Sequence, residues 1–245
     1  MSARRPGSGI WKRVGTARHG KPLGQQRLAD AGCSLKRYEG SWRWSRLVEP
    51  FGIFALIMAE LWWPRSYFTA SWLVILGLIL LSHVLHREEA VGLGFRVSNF
   101  DECVDELCPP LLFVVLVVLS ADVLLQTTRN ISFEQGLMSL GVYYPWGLLQ
   151  QYVLNCHFAN RLQAFTPNPR HVPLLSALFF SGAHLPNWFL MLVTFPAGYA
   201  CVKVYMKYRN LYFLGLAHGT IGFLLFLVVP DSISHHLKVG PSWFR

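Results

Sequence analysis

Charge is scarce in this chain. Only 14% of its 245 residues are Asp, Glu, Lys or Arg, against about 25% in an ordinary soluble domain. Acids are the scarcest, 13 against 22 Lys and Arg, which leaves a net charge of +9. Cysteines stand at positions 33, 103, 108, 156 and 201, and no two form a Cys-x-x-Cys pair. An odd count without zinc spacing argues against a disulfide framework or a structural zinc site, and the five read as mostly free thiols. The early positive residues are not followed by an apolar stretch of the kind a secretory signal needs. Short alternating segments, the mark of a membrane β-barrel, are missing too.

What the chain has is apolar sequence, 53% of it, in long continuous runs. A spanning helix needs ~20 such residues, with a range of about 17–25. Candidates lie at 47–63, 69–86, 109–126, 143–163, 172–190, 191–208 and 211–229. Lipid accepts only backbones that satisfy their own hydrogen bonds, so continuous runs read as helices. The expected fold is all-α, a polytopic membrane bundle of about seven transmembrane helices over residues 47–229.

Residues 1–46 hold eleven of the Lys and Arg with only Asp30 and Glu39 as acids. This segment reads as a disordered basic tail that contacts anionic lipid and keeps the N-terminus cytoplasmic. Its Arg-rich, acid-poor composition also suits an organelle transit peptide. Nucleic acid is not an expected partner, since nothing folded accompanies the charge. With the N-terminus inside, Arg161, Arg170, Lys203, Lys207 and Arg209 fall on the cytoplasmic side. Residues 87–108 form a polar connection whose Leu93, Phe95, Val97 and Phe100 could rest on the membrane surface. Its acids, Asp101, Glu102, Asp105 and Glu106, read as a solvated face, because calcium loops need a tighter donor pattern. Residues 230–245 read as a short polar tail.

Polar residues at membrane depth usually face a bundle interior or a wet cavity. One run, "LLQQYVLNCHF", carries Gln150, Gln151, Asn155 and His157. Gln151 and Asn155 are four apart and share a helix face. Next, "FFSGAHLPN" carries Phe180 and His184 at i, i+4, then Asn187. The last long run, "LAHGTIGF", carries His218 and, four on, Gly222. Each alone fits a packing role. Amide and imidazole groups on three helices suggest one shared site.

The order of these motifs resembles the CAAX-protease and bacteriocin-processing (CPBP, or Abi) family of intramembrane endopeptidases. That family carries Glu-Glu-x-x-x-Arg, then Phe-x-x-x-His, then His-x-x-x-Asn or Asp. Here the first motif reads Gln150-Gln151-x-x-x-Asn155, the second is intact as Phe180 to His184, and the third runs from His218 to Gly222. The Leu-Gly-Phe at 93–95 looks like a short element that precedes the core in many members. The resemblance implies a site of Gln150, Gln151, Asn155, His184 and His218, with Phe180, Asn187 and Gly222 lining the substrate cavity. It also implies a membrane-anchored protein or peptide as substrate.

The departures matter chemically. The family's first Glu activates water, and a Gln amide cannot accept that proton. Gln151 and Asn155 replace an ion pair with neutral groups, so no buried charge is left alone. His184 or His218 could serve as base in place of the acid. Asp122, near the outer end of its segment, could instead supply the carboxylate. No cofactor is certain. Two histidines could bind zinc, but zinc prefers three or four protein ligands. Three functions stay open: an intramembrane endopeptidase, a silent pseudoenzyme that binds a membrane peptide or lipid, and a small transport component. The last would be expected to show paired, broken inverted segments, which this sequence does not.

Overall fold

The structure, a computed structural model, describes residues 43–63 and 71–244. The chain divides into two units, Met1–Glu39 and Gly40–Arg245, and every described residue belongs to the second. The basic tail read at 1–46 therefore lies outside the described residues up to residue 42, and helix begins at Arg43. The described residues are helical, without a strand among them.

The helices are α1 (Arg43–Trp62), α2 (Ser71–Leu85), α3 (Phe100–Leu125) and α4 (Phe133–Gln151). The rod of α4 continues through a π-helical stretch, Tyr152–Ala159, into α5 (Asn160–Phe165). Then follow α6 (Val172–Gly182), α7 (Trp188–Tyr208), α8 (Leu211–Val228) and the one-turn α9 (Asp231–Ser234). Local chemistry sets the starts. Ser132 and Gln135 form a reciprocal capping box at α4, which satisfies two otherwise orphaned N–H groups. Asn187 caps α7 and Asn210 caps α8, each by accepting from a backbone N–H three residues on.

Among the described residues three helices are long and apolar enough to cross a membrane: α3, α7 and α8. The protein is thus a helical membrane protein, and three of the expected seven spans meet that criterion. Helix α2 has 15 residues and α6 only 11. The segment expected at 109–126 is the second part of a helix that already starts at Phe100. Asp101 and Glu102 sit in its first turn, where negative charge is favoured by the helix dipole. Acids that looked like a loop therefore open a helix. The lower flank of α3 leaves Phe113, Leu116, Val123 and Leu124 exposed, a surface suited to lipid.

The connection before α3 is bound to protein as well. Leu93 is buried, and its carbonyl accepts from the Tyr205 hydroxyl at 3.2 Å and the Cys156 thiol at 3.0 Å. Gly94 has φ +96°, and its carbonyl accepts from Leu211 N–H. A Cβ there would lie 2.9 Å from the Arg209 carbonyl oxygen. Phe95 packs edge-on against Tyr212. Leu93 and Phe95 therefore join the core, while Val97 stays exposed.

The closest helix pairs are α4 with α8 and α6 with α7. Small residues permit the first. A Cβ on Gly147 would lie 2.8 Å from the Gly219 nitrogen, and one on Gly215 would lie 2.9 Å from Leu148 Cα. The two backbones touch, which is how helices gain packing energy in lipid. Gly147→Ala should therefore destabilise the fold by about 1–3 kcal/mol, the cost of overpacking. Gly141 has nothing within 4 Å of its Cβ position, so Gly141→Ala should not. Thermal unfolding of both variants in detergent checks this: a fall in Tm for the first alone is expected.

Candidate functional site

The site forms where the end of α4, the end of α6 and the middle of α8 meet. Asn155 is fully buried and lies in the π-helical stretch. Its Nδ2 donates to the Gln151 backbone carbonyl at 3.0 Å and to Gln151 Oε1 at 2.7 Å. The Gln151 Nε2 then meets His218 Nδ1 at 2.9 Å. On α6, the His184 Nδ1 lies 2.7 Å from the Phe180 carbonyl oxygen. The Phe180 ring meets both imidazoles, with centroids 5.0 Å from His184 and 5.8 Å from His218, both edge-on. Gly198 on α7 makes room for that ring: a Cβ there would lie 3.0 Å from Phe180 Cδ1.

Gln151, Asn155, Phe180, His184 and His218 are thus brought together. The other expected residues sit differently. Gln150 is half-buried and makes no side-chain hydrogen bond among the described residues. Asp122 accepts from the Thr128 hydroxyl at the end of its own helix, and no contact ties it to either histidine. Asn187 is buried, but its side chain caps α7 and donates to the Ser234 and Lys238 carbonyls at 2.8 and 3.0 Å. It fastens the C-terminal segment over the turn that carries His184, where Gly240 N–H also bonds the Leu185 carbonyl. Gly222 faces the Tyr143 ring in the contact between α4 and α8, 3.1 Å from a built Cβ. Residues 230–244, read as a polar tail, are accordingly folded against the bundle, and Asp231 is paired with Arg129.

For a metal, the donor set is short. Among the described residues no three His, Cys, Asp or Glu are grouped to hold an ion. At the site itself His218 Nδ1 is taken by Gln151. Two imidazole nitrogens and no acid remain, fewer than zinc uses in protein sites. The residues present do not fit zinc.

A second polar centre was not legible in the sequence. Arg161, expected at the cytoplasmic end of the 143–163 run, is only 4% exposed. Its guanidinium bonds both oxygens of Glu88, at 2.9 and 2.8 Å, and Glu49 at 2.8 Å, with Ser82 at 2.7 Å. His83 Nδ1 donates to Glu88 at 2.5 Å. His157, fully buried, lies 3.8 Å from Glu49 and faces the His83 ring. The signal available was the spacing of His157 and Arg161, four apart, on the rod that carries Gln151. This centre ties α1 and α2 to the core.

Burial works to raise the Glu88 carboxyl, but hydrogen bonds from His83 and Arg161 and the guanidinium charge outweigh it, holding the group at about 2 against an ordinary 4.5. A carboxylate depressed in the folded state stabilises fully above its unfolded value, and that contribution is lost as the pH falls through the folded one. Stability should therefore hold from neutral pH down to 4.5 and fall towards pH 2. Glu88→Gln should flatten that slope. Arg161→Ala should destabilise the fold, by up to about 3 kcal/mol, because Glu49 and Glu88 are half-buried and lose their guanidinium partner. Unfolding midpoints against pH check both, and an Arg161→Ala midpoint equal to that of the wild type would contradict the pairing.

The fold and site define a class: a helical membrane protein with a neutral His–amide centre inside its bundle. Residues 136–224, from α4 to α8, match the family model described as Rce1-like, a type II CAAX prenyl endopeptidase. The resemblance to the CPBP family is shown over that stretch, which contains the whole centre from Gln150 to His218. No curated protein and no solved structure matches the chain.

Proposed function

We propose that this protein is an intramembrane endopeptidase of the CAAX-protease kind, which hydrolyses a peptide bond in a membrane-anchored protein or peptide. The observation that carries the reading is the convergence of His184 and His218 on one phenylalanine ring, with an amide holding His218. Peptide hydrolysis needs a proton acceptor for water and a donor for the oxyanion. Two imidazoles that meet the same Phe180 ring offer both. In this reading the N-terminal basic segment rests on anionic lipid of the cytoplasmic leaflet.

A second reading is a silent relative that keeps the cavity and binds a membrane peptide or lipid. It is favoured by one observation: no carboxylate contacts Gln150, Gln151, His184 or His218 among the described residues.

The two readings separate in one assay. Purified full chain in nanodiscs is given membrane-anchored peptides, and new termini are measured. The peptidase reading expects wild-type cleavage that falls ~10²–10⁴-fold in His184→Ala, the span typical of a lost acid–base group. Cleavage absent in the wild type but gained in Gln150→Glu would establish the silent reading instead.

A further inference from the structure

His184 does not sit in a helix. Helix α6 ends at Gly182 and α7 begins at Trp188, so the imidazole hangs on a short turn between them. Within this hairpin the ties are local: His184 N–H donates to the Ser181 carbonyl, Leu185 N–H to the Gly182 carbonyl, and the Ser181 hydroxyl to the Met191 carbonyl. Among the described residues, every hydrogen bond that reaches residues 183–187 from outside the hairpin comes from the segment after α8. The Asn187 amide donates to the Ser234 and Lys238 carbonyls at 2.8 and 3.0 Å, and the Leu185 carbonyl accepts from Gly240 N–H at 2.9 Å. Asn187 is fully buried, and an amide buried without partners is costly.

The same segment is tied at two further places. Asp231 accepts from Arg129, in the connection between α3 and α4, and lies 2.9 Å from His236 Nδ1. Gly240, buried and with φ +59°, lies so close to the end of α1 that a Cβ would overlap the Leu61 carbonyl oxygen. Between these ties His235, His236 and Leu237 follow one another with φ of 49°, 55° and 55°. Left-handed backbone is uncommon without glycine, and a bulky side chain there is an outlier. Such strain persists only where the surrounding contacts over-determine it. The segment is therefore held in place by its ties and not by its own backbone preference.

We propose that residues 230–244 form a strap that braces His184 in the site, with Asn187 as its anchor and as a positioning residue for the reaction. The positioning role rests on the endopeptidase reading, and the bracing rests on the contacts alone. The strap joins the end of α1, the α3–α4 connection and the end of α8 to the turn that carries His184. Cutting a tie lets the strained residues relax and loosens that turn. His218 stays, because Gln151 holds it across the separate contact of α4 with α8. The device thus has two states: clasped, with both imidazoles against Phe180, and released, with His184 alone set free.

Two variants cut the strap from opposite sides. Asn187→Asp keeps the oxygen that caps α7 and removes the NH₂ that holds the strap. Gly240→Ala forces the strap off the end of α1 and leaves Asn187 unchanged. The full chain in nanodiscs is used throughout. In the wild type the Gly240 amide should exchange its hydrogen slowly, and trypsin should cut slowly after Lys238. In either variant, release of residues 239–245 should rise about tenfold or more, as expected when the ties are lost. The ¹⁵N-histidine signal of His184, assigned by its loss in His184→Ala, should split or broaden in both variants while that of His218 holds. With membrane-anchored peptides, kcat should fall about tenfold to a hundredfold with KM changed less, since a small misplacement at a reacting centre is that costly. A wild-type Gly240 amide that exchanges freely would overturn the strap, and this measurement needs no variant to fold. Release of 239–245 with an unchanged His184 signal would overturn the bracing. His184 and His218 signals disturbed alike would overturn it too, by showing a general loosening. A wild-type chain that cleaves nothing would refute the peptidase reading and with it the positioning role, while exchange and histidine signals, read without turnover, still decide the bracing.

Discussion

The hydrogen bond from the Asn155 amide to the Gln151 backbone carbonyl orders everything downstream of it. It determines which end of each side-chain amide faces which neighbour. Asn155 lies in a π-helical stretch directly after α4. Such stretches are rare and concentrate at functional sites. Here the stretch is buried on almost every residue, so the amide has no water to turn to.

One continuous rod, from α4 through the π-helical stretch to α5, carries two polar centres solved in different ways. At Gln151 and Asn155 the groups are neutral, and the Asn155 amide nitrogen donates to Gln151. A turn or two on, at Arg161, the solution is ionic and draws acids from α1 and from the connection after α2. The ionic centre binds peripheral helices to the core, and the neutral one faces the histidines. Burying a charge demands a full set of partners, which Arg161 has. An amide pair asks less and leaves the imidazoles unprotonated neighbours. The division separates fastening from chemistry along a single helix.

Much of the site could be read before any coordinates. Phe180 and His184 at i, i+4, Gln151 and Asn155 at i, i+4, and a later His218 are local patterns that helix geometry converts into shared faces. The apolar runs also carried the all-helical membrane fold. What escaped were contacts between distant segments. Asn187 follows His184 closely in sequence, yet its side chain serves the C-terminal segment, because a buried helix cap has first claim on an asparagine. Gly222 sits at the spacing of a motif, but its lack of a side chain lets Tyr143 pack. The pairing of Arg161 was not legible because its partners, Glu49 and Glu88, lie 112 and 73 residues away. Runs of apolar residues do not show where an acidic turn such as Asp101–Glu102 starts a helix early, or where a short helix such as α6 stays within the bundle.

The central claim is that His184 and His218 belong to one site, arranged about a single ring. Through-space contacts between a selectively labelled Phe180 ring and each imidazole, measured on the full chain in nanodiscs, test it most directly. Contacts to both rings are expected from centroid separations of 5.0 and 5.8 Å. A contact to one imidazole alone, or to neither, would contradict the account.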